Sequence, residues 1–190
     1  MVTAAYASAP VFAEPSGTVR ASKSVMIESH LGFNGVGFGF GYFLPNDSRI
    51  DCATSQSDLM QSLDRSEIYK IEYQSFTANS FFYNLGVSHR RIKADDYSYG
   101  SYSSYMFGRY GSSEIKAVHA HFAIGNEWSF RYFFIGAEWF GFSSPLTWQY
   151  TTYYPDTASA GDRELWNAET EREAKKTVLI GPNLYIGFAF

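Results

Sequence analysis

Asn183-Leu184-Tyr185-Ile186-Gly187-Phe188-Ala189-Phe190 closes the chain, and its period decides the fold. After Pro182, Leu184, Ile186, Phe188 and Phe190 hold the even positions, while Asn183, Tyr185, Gly187 and Ala189 hold the odd ones. Successive side chains of a strand point to opposite faces, so this segment has one apolar face and one small or polar face. Gly35-Val36-Gly37-Phe38-Gly39-Phe40-Gly41-Tyr42 repeats the pattern more strictly, with every large side chain even-numbered and every glycine odd. A glycine-rich linker has no reason to keep that order. If the even face meets an apolar medium, the opposite face is nearly bare backbone here.

Four more strands lie between these two. Tyr69, Ile71 and Tyr73 alternate with Lys70, Glu72 and Gln74. Phe81, Tyr83, Leu85 and Val87 alternate with Phe82, Asn84, Gly86 and Ser88. Val118, Ala120, Phe122 and Ile124 alternate with Ala117, His119, His121 and Ala123. Phe133, Ile135, Ala137 and Trp139 alternate with Phe134, Gly136 and Glu138. Connector lengths also alternate. A long polar link runs from Leu44-Pro45 to about Ser66, a tight one spans Thr77–Ser80, and Ile92–Ser113 is long. Asn126-Glu127 is tight again, and Ser143–Lys176 is long.

Composition agrees with strands in an apolar medium. Aromatic residues make up 19% of 190 residues, with 16 glycines, a mixture suited to pleated surfaces and poor for helices. No run approaches the roughly 18 apolar residues of a spanning helix, so a membrane protein of this kind has to be a barrel. The formal net charge of -4 offers no basic surface to nucleic acid. Cys52 is the only cysteine, which rules out an internal disulfide and reads as an ordinary loop thiol. Ala7-Ser8-Ala9 and Val11-Phe12-Ala13 resemble small-residue cleavage sites before Glu14-Pro15, although no basic segment precedes them. Residues 1–24 are therefore expected to be an export-signal remnant or a periplasmic N-terminal segment, and 25–190 the barrel.

The terminal Tyr185-Ile186-Gly187-Phe188-Ala189-Phe190 strand, with Gly136-Ala137-Glu138-Trp139, resembles the small OmpA-like outer-membrane barrels of bacteria. The resemblance covers architecture over most of Gly35–Phe190 and carries no active site. It implies an all-β, transmembrane antiparallel barrel with long extracellular loops and short periplasmic turns. Outer-membrane lipids and the barrel-assembly machinery are its expected partners, with Leu184, Ile186, Phe188 and Phe190 as the membrane-facing C-terminal signature. Eight strands are expected although six are readable, because single-chain bacterial barrels start at eight. A hairpin within Ser143–Lys176 would supply the missing pair, with Leu146, Trp148, Tyr150, Thr152 and Tyr154 on one strand. The remainder, with Glu164, Glu169, Glu171, Arg172, Glu173, Lys175 and Lys176, reads instead as a short solvated helix. Self-association that completes the wall is the other reading. A soluble lipocalin-like barrel would put glycines on its wet face, where they pack nothing.

With apolar faces outward, Lys70, Glu72, Arg90, His119, His121 and Glu138 should point inward as a hydrogen-bonded ion-pair network. That network either plugs the barrel or lines a gated path for ions. His119 and His121 share one face about 7 Å apart, a spacing that can hold a metal with Glu72 or Glu138. Two histidines are weak evidence for that, so no metal or other cofactor is expected. Catalysis is not expected either, since no Gly-x-Ser-x-Gly element occurs and the flanking Val118, Ala120, Phe122 and Ile124 turn the histidines inward. Tyr97, Tyr99, Tyr102, Tyr105 and Tyr110 enrich one long connector and suit an adaptable recognition surface, or else mark the headgroup belt. The sequence therefore leads to a non-enzymatic outer-membrane barrel, structural or weakly porin-like; a surface recognition or adhesion role through the Tyr/Ser-rich loop is the alternative.

Overall fold

The computed structural model describes residues 16–32, 35–58, 65–77, 79–94, 112–154, 156 and 158–190. A short helix, α1 (Ser16–Ala21), precedes β1 (Val25–Gly32), β2 (Gly35–Leu44), β3 (Ser48–Asp58) and β4 (Arg65–Phe76). Next come β5 (Phe81–Ala94), β6 (Ser112–Ser129) and β7 (Phe133–Tyr153), then helix α2 (Ala160–Ala174), β8 (Val178–Ile180) and β9 (Asn183–Ala189). Each strand from β1 to β7 pairs antiparallel with the next, and β9 pairs with both β7 and β1, closing a ring. Both β8 and β9 lie on β7, at Gly141–Ser143 and Phe133–Glu138 respectively. They are two parts of one wall, interrupted at Gly181-Pro182, where proline has no N–H to give a ladder. The ring therefore has eight walls.

Outward residues form an apolar collar. Ile27, Phe38, Phe40, Tyr73, Leu85, Ile135, Ile186 and Phe188 are 40% to 66% exposed, far beyond the patches that soluble monomers carry. On β6, outward Ile124, Phe122, Ala120 and Val118 lie between Asn126 and Lys116. That interval rises about 33 Å along the strand, or about 25 Å along the axis at the usual tilt, the height of a bilayer-spanning apolar band. Inside, Met26, Phe43, Phe76, Phe82, Phe134 and Tyr185 pack into one cluster near the end where the short turns lie.

Three tight connections occupy that end, at 45–47, 77–80 and 130–132. Asp47 takes a positive φ of 48° there, a conformation that aspartate tolerates better than bulky residues do. Helix α1 closes the opening beneath the apolar cluster. Ser16 Oγ accepts the Ser129 N–H at 3.1 Å, and the Arg20 guanidinium donates to both Asp47 oxygens at 2.7 and 2.8 Å. Arg20 also donates to the Asn79 carbonyl and stacks 3.5 Å above the Phe76 ring. Arg20→Ala should lower the unfolding free energy by about 1.5–3 kcal/mol, measured by urea unfolding in detergent, because it removes charge-assisted hydrogen bonds at a closed end. An unchanged midpoint would show that α1 rests on the barrel without holding it.

At the opposite end the walls are uneven. With 18 and 21 residues, β6 and β7 outreach β1 and β2, which have 8 and 10. Helix α2 lies against the inner side of that extension. Its Asn167 side chain accepts from Thr152 Oγ1 at 2.8 Å and from the Tyr154 hydroxyl, and the Lys175 ammonium sits 5.4 Å from the Trp148 ring. Ser159 and Asp162 form a reciprocal capping box at the α2 N-terminus, and these hydrogen bonds hold the Asp162 carboxyl below the usual aspartate range.

Several sequence expectations change here. The missing strands are β1 and β3, not a hairpin within Ser143–Lys176. Instead of a long polar link from Pro45 to Ser66, the chain turns at 45–47 and runs back as β3. The reason is physical: inward Arg49, Asp51 and Ser55 are polar because this interior is polar, so the strand looks like a loop. Asn126-Glu127 is not a turn but part of β6, and the tight connection is 130–132. Leu146–Tyr154 mostly continues β7, whereas the charged stretch does form a helix, α2. Register shifts opposite Ile124/Gly125 and Val118/His119 leave Trp139 and Leu146 without ladder partners on β6, so strict alternation fails at Trp139.

Candidate functional site

The ladder register explains how distant side chains meet in the interior. Arg49 sits opposite Gln74, and Asp51 opposite Glu72, on β3 and β4. Glu72 lies across from Gly86 of β5, and Gly86 from His121 of β6. With no side chain on the strand between them, the Glu72 carboxylate reaches His121 Nε2 at 2.6 Å. Gly136 serves the same purpose between Glu127 of β6 and Tyr185 of β9. The Tyr185 hydroxyl donates to Glu127 Oε2 at 3.2 Å over the bare backbone. Gly37 and Gly39 leave room for His30 and Glu28 in the same way. The glycine face of β2 is therefore filled by its neighbours' side chains.

Two polar layers result. Nearer the turns, Arg49 donates to Asp51 at 2.8 Å, to Glu127 at 2.8 Å and to Gln74 Oε1 at 3.1 Å. Its guanidinium lies 5.5 Å from each of the Phe43 and Phe134 rings, and Glu127 has no exposure at all. Above it, Lys70 Nζ is 2.6 Å from Glu72 and 3.6 Å from Glu138. Asn84 and Asn183 donate one bond each to the two Glu138 oxygens, both at 3.0 Å. Such mutual pairing is what makes buried charge tolerable. Glu28, Asp51, Glu72, Glu127 and Glu138 nevertheless outnumber Arg49 and Lys70, so carboxylates dominate the interior.

Of the residues expected inside, Lys70, Glu72, His121 and Glu138 meet in one cluster. His119 points inward one step nearer the loops, opposite Pro145, and Arg90 faces Ser66 Oγ at 3.4 Å; neither joins that cluster. Ligand atoms of Glu72, His121 and Glu138 lie within 4.8 Å of one another, but the Lys70 ammonium occupies the same ground. The two histidines do not share the grouping that their spacing suggested. Glu28, His30, Arg49, Asp51, Gln74, Asn84, Glu127, Asn183 and Tyr185 also belong to the interior and were not singled out from sequence. Glu28, His30, Arg49 and Asp51 lie on the two strands too polar to recognise, Gln74, Asn84, Asn183 and Tyr185 on the polar faces of strands that can be read, and Glu127 in what reads as a turn. Leu184, Ile186, Phe188 and Phe190 all face outward. Tyr97, Tyr99, Tyr102, Tyr105 and Tyr110 lie outside the described residues.

Two of the interior spaces bounded by described residues measure about 40 Å³, lined by His30, Lys70, Arg90 and His121 among others, and about 10 Å³ around Glu28, Glu72 and Glu138. They hold a few water molecules at most. No protein-family pattern and no curated protein matches the sequence. Among solved structures, the N-terminal β-barrel domain of Pseudomonas aeruginosa OprF is similar, with a TM-score of 0.51 over 88% of this chain and 98% of that one. In fold, the chain resembles the OmpA-like outer-membrane barrels. At 16% identity, the OprF likeness concerns the fold alone. Acinetobacter baumannii CarO2 and CarO align with TM-scores of 0.47 and 0.46 at 8% and 10% identity. They cover 88% and 87% of this chain and 99% and 97% of their own.

Proposed function

We propose that this chain is a non-enzymatic protein of the bacterial outer membrane, a barrel closed to solutes whose body serves as a membrane anchor. The filled interior carries this reading. Arg49, Lys70 and their carboxylate partners cross the lumen from wall to wall, α1 lies beneath the turn end, and α2 lies against β6 and β7 at the other. Porins of wide bore leave an aqueous channel, whereas small barrels are filled by side chains. The 45–47, 77–80 and 130–132 turns with α1 would face the periplasm, and the 33–34, 59–64 and 95–111 connectors with α2 the cell exterior. No catalytic arrangement is needed to explain most of the buried charges, because Asp51, Glu72, Glu127 and Glu138 each lie within 4 Å of Arg49 or Lys70.

Planar-bilayer recording tests the closure. The purified chain should give no steady unitary conductance in 1 M potassium chloride. Long-lived openings from the unmodified protein would defeat the proposal and favour a pore.

A further inference from the structure

The outer face of β2 to β6 is hollowed into an apolar groove of about 540 Å³, within the range of small-molecule sites. Short outward side chains make it. Cys52 and Thr54 on β3 stand between Phe38 on β2 and Tyr69 and Ile71 on β4, with Val87 and Val118 completing the far wall. One outward row nearer the loops, the ladder places Glu67, Arg91 and Lys116 side by side. The row after it brings Arg65, Lys93 and Glu114 together. Glu114 ties Arg91 at 2.5 Å to Lys116 at 3.5 Å, while Glu67 lies 3.5 Å from Arg65. Four cations thus stand against two carboxylates among these side chains, at the upper rim of the apolar band.

We propose that this face is a binding site for a phosphate-bearing membrane lipid. An acyl chain lies in the groove, and the phosphate sits on Arg91 and Lys116, with Arg65 and Lys93 beside it. Any acyl chain would cover the groove; the cations above it select an anionic headgroup. A guanidinium and an ammonium held close by one shared carboxylate are oriented before the phosphate arrives, which reduces the entropy lost on binding. A second copy of the chain fits less well, because a two-fold contact through this face would set the same cations against themselves. The inference rests on the membrane reading above.

The full chain in detergent, offered dioleoylphosphatidylglycerol or dioleoylphosphatidylcholine, provides the test by native mass spectrometry. One phosphatidylglycerol should be retained with about a tenfold preference over phosphatidylcholine. Arg91→Gln with Lys116→Gln should erase the preference, and Thr54→Phe, which fills the groove from the outer face, should reduce retention of both lipids. Equal retention by the unmodified protein would overturn the site. So would a preference that survives the double replacement, or lipid retention untouched by Thr54→Phe. Heat-shifted mobility on a gel verifies that each variant is a folded barrel. A chain that stays monomeric and folded without detergent would instead defeat the membrane reading itself.

Discussion

Arg49→Met should lower the unfolding free energy by about 3–5 kcal/mol, because it strands Glu127 and Asp51 in the interior without their cation. Arg49 is 1% exposed and Glu127 0%, so water cannot replace the lost partner without opening the barrel. Urea unfolding in detergent or lipid vesicles, followed by tryptophan fluorescence, measures the change. The loss belongs to the orphaned carboxylates more than to the missing bonds. Adding Glu127→Gln and Asp51→Asn to Arg49→Met should therefore restore part of it, since neutral amides are less expensive to bury than charges. A single variant as stable as the parent would mean that these carboxylates are satisfied by some other group, and the layer around Arg49 would not be the stabilising unit described above.

Gly136→Val is expected to have an effect of similar size by a different route. A Cβ at Gly136 would overlap the Tyr185 ring, and a branched side chain has no direction of escape between Glu127 and Tyr185. The ring would have to leave the Glu127 carboxylate and its packing against Phe82 and Phe134. Overpacking of a close-packed interior alone costs about 1–3 kcal/mol, and the orphaned hydrogen bond adds to it. The heat-shifted gel band should weaken strongly or disappear, and Tyr185→Ala in the same chain should bring part of it back. A fully folded Gly136→Val protein would show that the bare backbone at this position is not needed for the crossing contact.

The difference between what could be read and what was missed follows from the medium on each side of the wall. Phe38, Phe40, Ile186 and Phe188 announce their strands because an apolar surround demands large apolar side chains outward. Their partners are glycine, alanine or tyrosine, so the alternation stands out. Among the described side chains of β3, Ile50, Cys52, Thr54 and Gln56 face outward while Arg49 and Asp51 point inward, and little contrast is left. On β1, Glu28, Ser29 and His30 interrupt the pattern in the same way. The inward direction of Lys70, Glu72, His119, His121 and Glu138 follows from local period. Their partners do not, because the meeting of Arg49 with Glu127, or Glu138 with Asn183, depends on ring closure and on the register shift near Trp139. Period is local information; register around a ring is not.

The interrupted final wall has a consequence for how the ring forms. Met26 pairs with Ala189, and Gly32 with Asn183, so the last strand joins the two extremes of the described chain. Bringing such remote segments together carries the largest loop-closure entropy of any pairing here, and no shorter contact in the same seam offsets it beforehand. Until β9 arrives, β1 and β7 present two open edges that hydrocarbon cannot satisfy. The C-terminal strand thus acts as a latch. Insertion into the membrane and closure of the ring become a single late event, set by the arrival of β9 between β7 and β1.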